Sequence, residues 1–451
     1  MHWLDKVLEI FAAPTADLRV LAGIAGYDPK IMYKGTSLAG VDLSGQDVSD
    51  LDLDLGDVEE LPFTSAKAKK YIIDNLRLPS KWADKILHFR ASNRRIKNIS
   101  QLEYCVGLRE VKLNGTLITD ISPLQKCDRL RNVEIENTNV GDIGALKNKK
   151  YLRMLNVSGT VVEDLSPLRG IPLNYLYISR TNVRDISEID PEGLSVFEAA
   201  GLNIEDWSIL SRAINMASID LSSSNVRDLS FVTYMRRLFH LSISSTHAQM
   251  PEGASFPSLS TFTARNSTIA DLSFLENSFG IYGVDIDNTL VGSIDPLRGK
   301  KNLRWFSSSN CNLKSIDGLI GCPNLYSVDV SRNSIECVDS LAEMVNLNRL
   351  NLAETDVKDL SFLKSTELKS LNVVDCKRLD WSTVSSLTSI MQLHLKEEQG
   401  DDGFENFYIP SGVRYLYANS SFIQKFWKEL EERKISAFPL YPSLAGSDSS
   451  I

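Results

Sequence analysis

A fixed repeat of 21 or 22 residues runs through most of this 451-residue sequence. Each unit begins with an apolar residue, and these residues stand 22 apart in ten intervals and 21 apart in four. The fifteen starting residues are Ile86, Leu108, Leu130, Leu152, Leu173, Leu194, Met216, Leu238, Leu259, Ile281, Leu303, Leu325, Leu347, Leu368 and Ile390. So short a unit cannot bury its apolar face alone, so the units must stack on one another.

Apolar residues fall at the same offsets inside the units. In the unit that starts at Leu108 they are Leu108, Val111, Leu113, Ile118, Ile121 and Leu124. The alternation of apolar and polar residues at the start of a unit predicts a short strand with one buried face. The later DISPL segment, an aspartate before a short apolar turn, predicts a 3₁₀ or one-turn helix. The predicted fold class is an α/β solenoid, a leucine-rich-repeat horseshoe of about fifteen repeats with parallel strands on the concave face and short helices on the convex face.

The repeat pattern LxxLxLxxTxIxDISPL resembles the internalin-type leucine-rich-repeat class, which bacterial surface internalins share with a eukaryotic regulatory subunit of protein phosphatase 1. The resemblance covers about Ile86 to Leu395. Internalins add a signal peptide and a wall anchor, and this sequence shows neither segment. The resemblance therefore implies a bacterial, intracellular protein that binds other proteins through its strand face.

Three kinds of small side chain also follow the repeat. Threonines recur eight residues after the start, where they are expected to satisfy turn amides, and aspartates recur at one offset as structural caps. Cys105, Cys127 and Cys322 stand nineteen residues after a start, where a buried thiol is expected to fill a small core slot and no disulfide is expected. The threonines are Thr116, Thr138, Thr160, Thr181, Thr246, Thr289 and Thr355, and the aspartates are Asp120, Asp142, Asp164, Asp185, Asp228, Asp271 and Asp359.

Both ends of the repeat array are predicted to be caps, which cover the apolar ends of a solenoid. Residues 1–85 contain a five-residue spacing from Leu38 to Leu53 that resembles a short pentapeptide-repeat run, then a predicted helix from Ser65 to Leu76. Residues 86–395 are the solenoid. Residues 396–451 contain a degenerate repeat at Val413, Leu416 and Ala418, a capping helix from Ser421 to Arg433, and a frayed tail.

Charge and cysteine content narrow the range of partners and compartments. The 49 basic and 58 acidic residues give a net charge of −9, which repels phosphate backbones and anionic membranes unless a basic patch is concentrated somewhere. We therefore expect no nucleic acid and no membrane among the partners. The six cysteines form no CxxC pair, which indicates reduced thiols in a cytoplasmic protein.

No motif for catalysis is visible in the sequence. GxSxG, GxxxxGK[ST] and GxGxxG are all absent, and only His240 and His247 of the five histidines share a repeat. The sequence therefore predicts a protein that is not an enzyme and that has no catalytic residue, no metal site and no cofactor.

The candidate binding residues lie on the predicted concave face, at the positions two, four and six places after each start. Most rows of this face are small and polar, so large side chains are candidate anchors. The candidates are Met154, Tyr175, Tyr177, Val196, Glu198 and Trp305. The alternative that the two tyrosines only pack sideways along the ladder stays open.

The charges on the same face are mixed, with acids prevailing in the middle. The acids are Glu110, Glu134, Glu136, Glu198, Asp220, Asp285, Asp287 and Asp329, and the bases are Arg90, Lys112, Arg265, Arg349 and Lys396. A protein partner with a basic or mixed-charge surface is therefore favoured. The functional hypothesis is a recognition or scaffold subunit. The alternative is a regulatory subunit that masks a partner enzyme such as a phosphatase.

Overall fold

The structure is a computed structural model that describes residues 18–28, 65–73, 78, 80–83, 85–91, 96–396 and 407–440. The pentapeptide-like spacing from Leu38 to Leu53 and the final residues 441–451 lie outside the described residues. The chain divides into two compact units, Met1–Ile209 and Leu210–Ile451.

Within its described residues, the first unit contains three α-helices followed by six strands, each paired in parallel with the next along the chain. The predicted helix from Ser65 to Leu76 is present as α2. The helices are α1 (Leu18–Ala25), α2 (Ser65–Ile73) and α3 (Ser80–Ala83), and the strands are β1 (His88–Arg90), β2 (Glu110–Lys112), β3 (Asn132–Glu134), β4 (Met154–Asn156), β5 (Tyr175–Tyr177) and β6 (Val196–Glu198).

The described part of the second unit contains eleven strands, which also pair in parallel with their successors, and two α-helices. The strands are β7 (Ser218–Asp220), β8 (His240–Ser242), β9 (Thr261–Thr263), β10 (Gly283–Asp285), β11 (Trp305–Ser307), β12 (Ser327–Asp329), β13 (Arg349–Asn351), β14 (Ser370–Asn372), β15 (Gln392–His394), β16 (Tyr415–Ala418) and β17 (Ser436–Pro439). The helices are α4 (Trp381–Ser385) and α5 (Ser420–Glu432).

A strand begins two residues after each of the fifteen predicted starts, so the periodicity placed β1 to β15 correctly. The middle residue of each of these strands is buried, as Leu155 and Phe262 are, because alternate side chains of a strand point to opposite faces. Burying one such apolar side chain contributes about 1.5–3 kcal/mol, and the parallel stack repeats that gain at every strand. Each unit is a leucine-rich-repeat solenoid.

Short 3₁₀ turns follow most strands, as predicted, but the aspartates lie one residue earlier than a helix cap. The turn Ser122–Lys126 has Ile121 at its N-cap, and the carboxylate of Asp120 accepts hydrogen bonds from the amide and the hydroxyl of Ser122, both at 2.7 Å. Asp164 and Asp359 bind Ser166 and Ser361 in the same way. The aspartates are structural, but they close a turn that leads into the helix instead of capping it.

The recurring threonines were expected to satisfy turn amides, and the structure shows them mainly in the opposite role. The hydroxyl of Thr160 donates to the carbonyl of Val157 at 2.6 Å, and the other six donate to the residue three before them. Only the bond from the amide of Ala248 to Thr246, at 3.4 Å, resembles the predicted role. A carbonyl that leaves the strand needs a donor, because a buried polar group without a partner destabilises the fold.

Buried thiols and buried amines share one position of the repeat. Cys105, Cys127 and Cys322 are buried free thiols, as predicted, and burial raises the pKa of Cys127 to about 11. Lys149 and Lys300 stand at the same offset and are each 2% exposed. Their ammonium groups donate to the carbonyls of Gln125 and Glu276 in the preceding repeats, at 2.6 and 2.5 Å. A long side chain can therefore use the slot when its charged end reaches a backbone acceptor.

Beyond β15, the described residues add two strands and a helix. The degenerate repeat at Val413, Leu416 and Ala418 is present as β16, and the predicted capping helix is α5, with Asn419 at its N-cap. Phe422 and Leu430 are buried, whereas Trp427 of the same helix is 52% exposed. Strand β17 was not predicted, because it follows a helix and breaks the period of the repeat.

Each repeat from β2 to β14 has a residue with a left-handed backbone conformation seven places after its start. This column of residues turns the chain away from the strands. It contains three glycines, while the other ten positions are non-glycine residues with φ between 54 and 58°. The non-glycine members are Asn137, Arg180, Ser223, Ser245, Asn266, Asn288, Asn310, Arg332, Glu354 and Asp375. An L-residue loses about 1 kcal/mol or more in this conformation, which glycine adopts freely.

Replacing Ser223 by glycine should therefore stabilise the second unit. Its φ of 56° is strained for serine, and relief of that strain exceeds the entropy that glycine adds to the unfolded chain, so we expect a gain of about 0.5–1 kcal/mol. The measurement is the urea-unfolding midpoint. Ser334→Gly is the control, because exposed Ser334 is not among the left-handed residues, and it should destabilise by a similar amount. Equal shifts in both variants would contradict the conformational argument.

Candidate protein-binding surface

The predicted anchor residues of the first unit lie on three adjacent strands. The parallel register aligns Met154 with Tyr175 and Tyr175 with Val196. The next row of the same face aligns Asn156, Tyr177 and Glu198. Because paired strands lie about 4.8 Å apart, the five predicted residues of this unit form one contiguous patch.

Exposure of the patch differs from residue to residue. Tyr175 is 43% exposed, whereas Met154, Tyr177 and Val196 are half-buried. The pKa of Tyr177 is raised, first by burial and then by the charge of Glu198. Its phenol therefore stays protonated, and its hydroxyl remains a hydrogen-bond donor. The patch offers an accessible aromatic ring beside a fixed phenol donor.

The strand-face acids at the beginning of the first unit are paired with neighbouring bases. Arg90 donates two hydrogen bonds to Glu110, at 2.6 and 2.9 Å, and this pair lowers the pKa of Glu110. Lys112 lies 2.6 Å from Glu134. The acidic character predicted from a count of residues is therefore partly neutralised at this end. Glu136, by contrast, accepts its side-chain hydrogen bonds from the neutral amides of Asn137 and Asn156.

The strand face of the second unit carries a separate polar network around Arg265. The guanidinium lies 3.0 Å from Asp285 and 2.6 Å from Asp287. The hydroxyl of Ser307 also donates to Asp287 at 2.6 Å. Burial is the main cause that raises the pKa of Asp285 to about 6, and the Asp287 carboxylate adds to the shift. A carboxyl group of this unit is therefore held close to its titration point near neutral pH.

Trp305, the sixth predicted anchor, belongs to the second unit and is less accessible than predicted. It is half-buried, and the register places it beside Gly283. A Cβ atom on Gly283 would lie 1.9 Å from Cε2 of Trp305, so the indole lies against the bare backbone of that glycine. The sequence did not predict this contact, because a glycine in a strand does not indicate which side chain will pack against its backbone. Trp305 is a packed ring with one open side.

A stack of aromatic rings on the last strands was also missed. His394 and Tyr417 stack with centroids 4.2 Å apart, and Tyr417 and Phe438 stack at 5.0 Å. Burial lowers the pKa of His394 to about 4, so its imidazole is neutral near pH 7 and packs as an uncharged ring. The sequence did not predict this stack, because Phe438 lies on β17, which is outside the repeat.

The described residues contain neither a cluster of metal ligands nor a membrane-spanning helix. There, no group of three or more histidine, cysteine, aspartate or glutamate side chains is arranged to hold a metal ion. No helix in that part of the chain is long and apolar enough to cross a membrane.

Comparison with known proteins relates the chain to others by fold. No protein-family model matches the sequence, and no curated protein matches it significantly. InlJ from Listeria monocytogenes is 15% identical with a TM-score of 0.56 and covers 74% of this chain and 80% of its own. The Leptospira interrogans leucine-rich-repeat protein LIC12759 is 12% identical with a TM-score of 0.55 and covers 85% and 96%.

A plant structure shares the same fold. The leucine-rich-repeat ectodomain of the receptor kinase GASSHO1/SCHENGEN3 from Arabidopsis thaliana is 18% identical with a TM-score of 0.52. The match covers 71% of this chain and 46% of that one. The repeated parallel strands and these similarities together identify the chain as a leucine-rich-repeat protein whose structural neighbours include an internalin.

Proposed function

We propose that this protein is a non-enzymatic recognition or scaffold subunit that binds a protein partner through the strand face of its first unit. The observation that carries the proposal is the patch formed by Met154, Tyr175, Tyr177, Val196 and Glu198 on three adjacent strands. Tyrosine is enriched among the residues that dominate protein interfaces, because it buries a large ring at a small entropic cost.

The fold of the chain supports a binding role. Parallel strands present rows of side chains on a rigid surface, which is how solenoid proteins hold extended partners. One protein of similar fold, the GASSHO1/SCHENGEN3 ectodomain, was solved in complex with CASPARIAN STRIP INTEGRITY FACTOR 2. In this chain, Glu136 and Glu198 flank the tyrosines and favour a partner with a basic or mixed-charge surface.

The proposal extends to the compartment and to the ends of the chain. A cytoplasmic location is supported by the six cysteines, all of which are free thiols and five of which are buried. We assign residues 1–85 and 396–451 as caps of the solenoid spanning 86–395, an assignment that the buried contacts of Phe422 and Leu430 support.

The test is a tagged pull-down from the native host with mass spectrometry, followed by titration of the purified partner. Tyr175→Ala/Tyr177→Ala should weaken binding at least about tenfold, because the variant removes both rings of the patch. Tyr151→Ala is the control, since that ring is 57% exposed and does not lie on a strand. A partner that binds the double variant as tightly as the wild type would refute the strand-face assignment.

A further inference from the structure

A second surface of the molecule carries a row of exposed aromatic rings. It is built on the residues one place after each start in the second unit, where the side chains flank the strands. Phe239, Tyr282 and Tyr326 occupy alternate positions of this row and are 57, 42 and 45% exposed. Ser260 and Arg304 stand between them. We call this surface, together with Phe279 of the adjoining loop, the aromatic flank.

Backbone hydrogen bonds hold the row in order. The amide of Ser260 donates to the carbonyl of Phe239 at 2.9 Å, and that of Tyr282 donates to Ser260 at 2.7 Å. Arg304 and Tyr326 continue the series at 2.8 and 2.7 Å. Each step advances by one strand, so the three rings stand about 10 Å apart. The row therefore leaves a gap over the small side chain of Ser260, whereas the exposed side chain of Arg304 stands between Tyr282 and Tyr326.

Phe279 is held in place although it is 69% exposed. The ammonium of Lys300 lies 4.7 Å from the centre of its ring, a cation–π contact, and is itself fixed by the carbonyl of Glu276. The side-chain amide of Asn302 donates to the carbonyl of Phe279 at 3.0 Å. An exposed ring that is ordered before binding loses little entropy when a partner covers it.

The charge of this surface is opposite to that of the whole chain. The segments that build it, 233–239, 254–260, 276–282, 298–304 and 320–326, contain six basic residues and one acidic residue, Glu276, in a chain of net charge −9. Arg236, Arg237, Lys301 and Arg304 are exposed. This is the concentrated basic patch that the overall charge conceals, and it attracts an anionic partner.

The apolar residues beside the row favour a protein over a nucleic acid. Ile320 and Val345 are 39 and 62% exposed in the loops next to Tyr326. Aliphatic side chains offer no ring on which a base can stack, whereas they contribute to a protein interface by burial. An extended polyproline II segment repeats every three residues, or about 9 Å, which nearly matches the spacing of the rings.

We propose that the aromatic flank is a second docking surface, which binds an extended acidic protein segment with an apolar residue at every third position. The apolar side chains would pack against the rings of Phe239, Tyr282 and Tyr326. The acidic side chains would meet Arg304 and Lys301. This surface belongs to the second unit, so the proposal stands or falls independently of the strand-face patch of the first unit.

The test is fluorescence anisotropy of the full chain with the labelled peptide (Leu-Glu-Pro)4, which adopts the polyproline II conformation. We expect saturable binding that weakens with added salt, and no binding of (Leu-Lys-Pro)4. Arg304→Glu and Tyr282→Ser should each weaken binding at least about tenfold. Arg349→Glu is the matched control, because Arg349 is an exposed arginine on the strand face of the same unit and should leave the affinity unchanged.

Three outcomes would overturn the proposal. They are the absence of binding by the acidic peptide, equal binding by the Arg304→Glu and Tyr282→Ser variants, and tighter binding of a single-stranded oligouridylate than of the peptide. The last result would assign the surface to nucleic acid instead. Circular dichroism of each variant checks that the fold is intact, which we expect since both side chains are exposed.

Discussion

Gly318→Ala should destabilise the second unit by about 3 kcal/mol, the upper part of the range for inserting an atom into a packed core. Gly318 lies in the 3₁₀ turn Asp317–Leu319, which packs against the preceding turn Asp295–Leu297. A Cβ atom on Gly318 would lie 2.1 Å from the carbonyl oxygen of Ile294 and 2.4 Å from its carbonyl carbon. Because these are backbone atoms, the clash cannot be relieved by turning a side chain.

The measurement is urea unfolding of the variant beside Gly292→Ala. A Cβ atom on Gly292 would meet no heavy atom within 4 Å, and its φ lies outside the left-handed region, so this control should change stability by less than about 0.5 kcal/mol. If the two variants unfolded at the same urea concentration, the close approach of the two turns would be wrong. If Gly318→Ala does not accumulate as folded protein, Gly318→Ser should fail in the same way while Gly292→Ser folds.

Asp285→Asn should stabilise the protein near neutral pH by up to about 3 kcal/mol. The folded pKa of Asp285 is about 6 against an ordinary value of 3.8, mainly because of burial, and each pKa unit corresponds to about 1.4 kcal/mol. Well below pH 3.8 the carboxyl is protonated in both states and costs nothing. As the pH rises toward 6 the unfolded state ionises first, so the folded state loses stability relative to the unfolded state.

The measurement is the free energy of unfolding of the wild type and of Asp285→Asn at pH 4 and pH 7.5. The difference between the two proteins should be small at pH 4 and largest above pH 6. Asp287, Asp329 and Arg265 face the same group and interact with its charge, so the measured difference includes their coupling to Asp285. A variant that is less stable than the wild type at pH 7.5 would show that the pair with Arg265 outweighs the cost of burial.

The repeat made the fold and part of the site predictable. Leu155 and Leu176 had to be inside because they recur with the period of the array, and this fixed the opposite orientation of Met154, Tyr175 and Tyr177. The same logic could not predict how much of Tyr177 is covered, since that depends on side chains two strands away. It also could not show that Arg90 neutralises Glu110, because a count of charges along a face ignores which atoms meet.

The repeat pattern did not predict the aromatic flank. Phe239, Tyr282 and Tyr326 occupy one offset, but serine and arginine separate them, so the sequence offers no consensus at that position. Their relation exists only because parallel pairing brings every second member of the row to a spacing of about 10 Å. The basic charge of the flank was hidden for the same reason, since the net charge of the chain sums over all its surfaces.

By itself the sequence determined the period, the positions of fifteen strands and the identity of the core, because burial of one apolar face requires those residues at every turn of the array. The tertiary structure alone decided how closely neighbouring turns approach. Pro123, Ala145 and Ser340 stand at the position of Gly318 in other repeats, so the period predicts that a side chain is harmless there. A side chain at Gly318 is excluded because the backbone of Ile294 occupies the space. The distance between two repeats is a property of their packing, and the sequence of one repeat alone does not determine it.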